Sequence, residues 1–172
     1  MNNPEINIFS ENIYPEWPVD EAKLIDIARN ILLYYMHRKD IYENSCLYNQ
    51  EYNTISFDIL YCDGNKTHQI NKEYRNKDYI ADIITFAIFA DEEPEARFIF
   101  DEEINLGEII LALDKIEQSA IEKGVTRQEE LCFLVSHGIM HLLGFDHQTE
   151  EDYNFVIEAQ NSALSTIKDK NV

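Results

Sequence analysis

The sequence predicts an α+β fold: a small mixed four-stranded sheet packed with about five helices, the helix carrying His137 and His141 at its centre. Three observations carry this reading. Residues 5–9 and 55–59 alternate apolar and polar side chains with the period of half-buried strands. Residues 82–89 and 108–113 are short, nearly continuous apolar runs, the mark of strands covered on both faces. The remaining apolar positions recur every three or four residues behind recognisable helix caps.

Taken in order, Glu5, Ile6, Asn7, Ile8 and Phe9 form the first strand, and Pro15 and Pro18 then break the chain. Asp20 caps a helix running to about His37, with Leu24, Ile27, Ala28, Ile31, Leu32 and Tyr35 as its stripe. Ile55, Phe57 and Ile59 alternate with Ser56 and Asp58 in the second strand, which the turn pair Asp63-Gly64 closes. A short helix from about Lys66 sets Ile70 and Tyr74 one turn apart and ends at Arg75. Residues 97–100 are expected as an edge strand inside an acidic connection between the two apolar runs. A helix from Asp114 stops at Gly124. Thr126 to Glu129 reads as a capping box for the next helix, whose inward side includes Leu131, Leu134, Val135 and Leu142. Thr149 to Asp152 opens the last helix in the same way, with Val156, Ile157, Ala163 and Leu164 inward.

At 172 residues one domain is expected, and 45% apolar content is too high for a disordered chain. No basic stretch precedes an apolar run at the N-terminus and no segment reaches membrane-spanning length, so a cytoplasmic protein away from any membrane is expected. Cys46, Cys62 and Cys132 are scattered, outside any C-x-x-C pattern, which suits a reducing compartment and argues against a thiolate metal site. The formal net charge of −19 excludes a generic nucleic-acid coat, which needs a basic surface. The charge is uneven: residues 91–103 carry a net −6, whereas Lys66, Lys72, Arg75 and Lys77 against Glu73 give residues 66–77 a net +3. A small positive mouth in an acidic body would admit a presented strand and discourage bulk RNA.

The densest chemistry lies between residues 137 and 147, which hold three of the five histidines. His137 and His141 leave one helix face a turn apart. Gly144 supplies the left-handed conformation that stops the helix, so the chain folds back and brings His147 toward the pair. Three neutral imidazoles converging on a point form a zinc site with its fourth position open, the arrangement of catalytic zinc. The spacing H-x-x-x-H-x-x-G-x-x-H is that of the metzincin proteases, but Gly138 stands where they need the general-base glutamate, and no methionine follows His147. The ligand pattern is shared and the proteolytic chemistry is not.

The form His137-Gly138, His141-Leu142, Gly144-Phe145-Asp146-His147 resembles the YbeY family of zinc-dependent bacterial endoribonucleases. Two upstream segments agree in order: Ile70-Asn71-Lys72-Glu73-Tyr74-Arg75 followed by Asp82-Ile83-Ile84-Thr85-Phe86, and Leu106-Gly107-Glu108-Ile109. The chain departs from the family pattern at Ala81 (usually threonine), Glu108 (usually aspartate), Thr85 (for serine) and Phe145 (for tyrosine). The resemblance implies one such domain over residues 1–172, the same fold, and one zinc ion held by His137, His141 and His147. It implies cleavage of single-stranded RNA in small-subunit ribosomal RNA maturation (the 16S 3′ end) and ribosome quality control, with ribosomal or assembly-protein partners. Arg75 is the catalytic candidate, since a guanidinium brackets two phosphate oxygens where charge develops. Lys72, Lys77 and Thr85 are the substrate-contact candidates. Asp146 is open to three readings: closing the turn, orienting a ligand imidazole, or acting as a base. His68 and His37 are expected as solvated helix histidines. The competing functions are an RNA-binding ribosome-assembly factor with structural zinc, and a zinc hydrolase of another substrate. A structural ion usually takes four protein ligands, and no fourth lies near His147.

Overall fold

The computed structural model of the chain describes residues 3–172. Its sheet is built from β1 (Glu5–Asn12), β2 (Thr54–Cys62), β3 (Ile83–Phe86) and β4 (Glu103–Ala112), in the order β1-β2-β4-β3. The first three strands in that order run parallel and β3 pairs antiparallel at the edge, so the sheet is mixed as expected. Five longer helices frame it: α1 (Glu21–His37), α3 (Gly64–Tyr74), α5 (Leu113–Lys123), α6 (Arg127–Leu142) and α7 (Glu150–Ser165). Two single-turn helices, α2 (Lys39–Tyr42) and α4 (Ile88–Asp91), were not expected from the sequence.

The caps form as the sequence implies. Asp20, Thr126 and Thr149 accept from the backbone N–H groups of Lys23, Glu129 and Asp152, and Gly124 closes α5 in the left-handed region. Asp63 is also a cap, accepting from Lys66 N–H, so α3 starts at Gly64 rather than near Lys66.

Alternation divides the sheet. Ile55, Phe57, Ile59 and Tyr61 of β2, with Ile104, Leu106, Ile109 and Leu111 of β4, join the main core. Cys62 and Ile110 point the other way, into a small cluster with Ile70 of α3 and Ile84. Helix α6 lies on the main-core face, in contact with α1, α5, α7, β3 and β4. The buried Tyr35 hydroxyl of α1 donates to Ser136 C=O at 3.1 Å and ties the two helices. All three cysteines are free and buried.

Two strand expectations need correction. The apolar run at 82–89 is covered on both faces, Ile84 by the cluster with Ile70 and Ile83 by the main core, but it is strand only over Ile83–Phe86, at the sheet edge, and then turns into α4. The cause lies across the ladder at Gly107, whose φ of +132° lets its backbone close on Phe86, where a Cβ would stand 1.9 Å from the Phe86 carbonyl oxygen. Residues 97–100 are not an edge strand. Arg97 folds back to donate to Phe89 C=O and Ala90 C=O at 2.9 and 2.8 Å, which satisfies α4 carbonyls. Phe98 and Phe100 stack on each other outside the core, and only an isolated bridge joins Phe100 to Glu103.

Candidate metal centre and its cleft

Helix α6 sets His137 and His141 one turn apart, with ring centroids 4.6 Å apart and Nε2 atoms 3.1 Å apart. The helix ends in a double hydrogen bond of the Schellman type, Gly144 N–H to His141 C=O at 2.9 Å and Phe145 N–H to Met140 C=O at 3.0 Å, with Gly144 at φ +99°. That reversal brings His147 back, its ring 5.2 Å from His137 and 5.4 Å from His141. One nitrogen from each histidine lies within 4.8 Å of the others, so the three are close enough to hold a metal ion.

Gly138 has a packing reason. A Cβ there would meet Ile109 Cδ1 at 2.9 Å, and Ile109 is fully buried in β4. The missing side chain therefore lets α6 approach the sheet, and a glutamate at 138 would point into β4 rather than at the histidines.

One residue of this site carries no signal in the histidine motif. Gln160 of α7 is fully buried, and its Nε2 donates to Phe133 C=O at 3.2 Å and to Ser136 Oγ at 3.1 Å. Because a carbonyl only accepts, this fixes the amide orientation and leaves Oε1 facing His137 Nδ1 at 3.2 Å. His137 Nδ1 is thereby the protonated nitrogen, and its Nε2 lone pair faces the cluster. The available signal was a polar side chain on the apolar stripe Val156, Ala159, Gln160, Ala163.

Burial, above all, keeps the two helix histidines neutral. His141 is pushed down to about 4, with the neighbouring His137 and His147 adding to the effect and Arg75 contributing. His137 is lowered by burial too, against the hydrogen bond it donates to Gln160. Neutral imidazoles are the metal-binding form.

Arg75 caps α3, half-buried, and its Nη1 donates to Asn71 Oδ1 at 3.0 Å. Asn71 is fully buried; its Nδ2 donates to Tyr79 C=O at 3.0 Å and its own carbonyl accepts from Arg75 N–H and Lys77 N–H. This one amide holds Arg75 and the returning chain together, a role visible only in three dimensions. Thr85 pairs with Ile109 and so shares the sheet face that meets α6. Lys72 and Lys77 are exposed; Lys72 stands 3.8 Å from Asp78, and Lys77 lies 5.9 Å from the Tyr79 ring. Both Asp146 carboxylate oxygens are engaged inside the turn, accepting from His147 N–H at 2.8 Å and Gln148 Nε2 at 3.1 Å. These bonds hold its pKa below the usual carboxylate range. His68 pairs with Asp78 at 2.6 Å, and His37 reaches Asn3 at 2.8 Å, both away from the cluster.

The basic segment 66–77 does not face one cleft. Lys66 lines a groove of about 500 Å³ on the α3 side of the sheet, with Asp58 and Glu108, whose pKa is raised by burial and then by Asp58. Glu108 thus belongs to the face opposite the histidines. Arg75 lines a separate polar cleft of about 610 Å³ between residues 79–83 and α5.

Comparison with known proteins agrees with this architecture. The family model described as Endoribonuclease YbeY matches residues 16–168. The Endoribonuclease YbeY of Bacillus pumilus is 46% identical over 99 residues, which span 56% of this chain and 62% of that protein. That of Exiguobacterium sibiricum is 31% identical over 160 residues, spanning 89% of this chain and 93% of its own length. The solution structure of TM1509 from Thermotoga maritima shares the fold with a TM-score of 0.52 at 20% identity, covering 94% of this chain and 90% of the other. With three histidines arranged for a metal ion and a family match over most of its length, the chain belongs to the endoribonuclease YbeY family.

Proposed function

We propose that the chain is a zinc-dependent endoribonuclease of the cytoplasm that cuts single-stranded RNA during maturation of the small-subunit ribosomal RNA 3′ end and in ribosome quality control. The observation that carries this reading is the convergence of three imidazoles close enough to hold one metal ion. The donor set suits zinc. Two nitrogens bound to one tetrahedral zinc stand roughly 3.3 Å apart. The Nε2 atoms of His137 and His141 are 3.1 Å apart, and the third nitrogen comes from the exposed His147, which leaves a solvent-facing side for substrate. When bound, zinc on three imidazoles supplies Lewis acidity and a water nucleophile at neutral pH.

The remaining work falls to the chain. Gln160 keeps His137 in one tautomer and one orientation. Asn71 holds Arg75 so that its guanidinium meets the non-bridging phosphate oxygens as they gain charge. Thr85, on the strand face toward α6, is the proposed substrate contact, Lys72 and Lys77 add weak attraction, and Asp146 closes the turn that carries His147. With a net charge of −19, the chain is expected to bind free RNA weakly and to rely on a ribosomal or assembly-protein partner for docking. A single strand with splayed bases reaches a recessed centre, whereas an A-form duplex keeps its phosphates out. The test is to map small-subunit ribosomal RNA ends in a host depleted of the protein and to assay zinc-dependent cleavage of single-stranded RNA in vitro. Unprocessed 3′ ends and cleavage abolished by chelation are expected; normal ends with no cleavage would refute the reading.

A further inference from the structure

The polar cleft between residues 79–83 and α5 has a composition that the cleavage reaction by itself does not require. Its lining includes Arg75, Tyr79, Asp82, Lys115, Gln118 and Glu122, and its volume of about 610 Å³ is in the range of small-ligand sites. It lies along the edge strand that packs on α6, since Ile83 of β3 lines it and packs against the main core that α6 shares. Two of its residues are cations without an ion pair among the described residues, in a chain with 33 acidic side chains against 14 basic ones. Arg75 bonds only the neutral Asn71 amide, and Lys115 Nζ reaches only Gln118 Oε1 at 3.5 Å. With so many carboxylates available, two cations left unpaired on one cleft are free for an anion from outside. The Lys115 stem passes over Gly64, where a Cβ would come within 2.8 Å of its Cε, so the glycine leaves room for that path. Tyr79 leaves its ring half-exposed at the cleft while its carbonyl is pinned to Asn71. Asp82 and Glu122 stand on the walls and disfavour a run of phosphates, but they can accept from ribose hydroxyls and base amino groups.

We propose that this cleft is a subsite for the nucleotide flanking the cleaved bond, in which the Tyr79 ring stacks on its base and Lys115 pairs with its phosphate. The inference rests on the endoribonuclease reading, and the test separates the two. Binding of a fluorescent 2′-O-methyl RNA ten-mer to the zinc-loaded full chain is measured by anisotropy across a salt series, alongside cleavage of the unmodified ten-mer. Tyr79→Ala is expected to weaken binding roughly tenfold, the order of one lost base stack, with Tyr79→Phe restoring it and the salt slope unchanged. Lys115→Gln, which keeps the stem, is expected to weaken binding several-fold and to make the log–log salt slope shallower by about 0.7, one single-strand phosphate contact. Unchanged affinity in either variant, or no binding by the parent chain, overturns the subsite. If the ten-mer is cut and both variants bind as the parent does, the nuclease reading stands and the subsite falls. If it is not cut but both variants weaken binding, the cleft stands as an RNA-binding site alone and the nuclease reading falls. Thermal melts of each variant confirm that only the surface has changed.

Discussion

Replacing Gln160 with leucine separates metal positioning from metal ligation. Leucine nearly fills the space but removes three hydrogen bonds of 3.1–3.2 Å, those to His137 Nδ1, Phe133 C=O and Ser136 Oγ. Phe133 C=O keeps the Ser136 hydroxyl, which donates to it at 2.6 Å, so the main orphan is His137 Nδ1–H, in a half-buried ring now free to rotate or change tautomer. An unmet buried donor costs about 1–3 kcal/mol of folding stability. Loss of a group that orients a ligand histidine costs roughly 10- to 100-fold in metal affinity, or about 1.4–2.7 kcal/mol. Zinc affinity is measured by competition with a chromogenic chelator, and Asn161→Leu, at an exposed position of the same helix, serves as the control. Gln160→Glu sharpens the test: a carboxylate still accepts from His137 Nδ1–H but cannot donate to Phe133 C=O, so stability should fall while metal affinity largely survives. Wild-type zinc affinity in Gln160→Leu would refute the argument that this amide sets the His137 tautomer.

Three further outcomes are expected. His141→Ala should bind zinc far below one equivalent by elemental analysis, because two imidazoles do not complete the site. Arg75→Ala should keep fold and zinc but lose on the order of a hundredfold or more in RNA cleavage rate, and Asn71→Ala, which frees the Arg75 guanidinium, should lower the rate and the stability together. Gly138→Ala should cost roughly 1–3 kcal/mol by pressing on Ile109, at about 2–4 °C of melting temperature per kcal/mol, as read by calorimetry.

The features legible in the sequence are those governed by physics acting within one or two turns of chain. The face shared by His137 and His141, the reversal at Gly144, the caps at Asp20, Thr126 and Thr149, and the alternation in β2 each follow from backbone geometry over a few residues. Those local rules fixed the fold class and the three histidines, and the order of motifs gave the family.

Tertiary structure decided what depends on partners distant in the chain. Gln160 reaches His137 across 23 positions, so nothing near the histidine motif marks it. The apolar run at 82–89 stops pairing at Phe86 because Gly107, on another strand, closes the ladder there, and residues 97–100 stay unpaired while Arg97 spends its donors on α4. The basic segment read as one positive mouth is split by the helix that carries it: Lys66 near the start of α3 and Arg75 at its end open onto different clefts. Hydrogen-bond satisfaction and packing between elements choose these arrangements, and both depend on which elements meet, which no local window of the sequence contains.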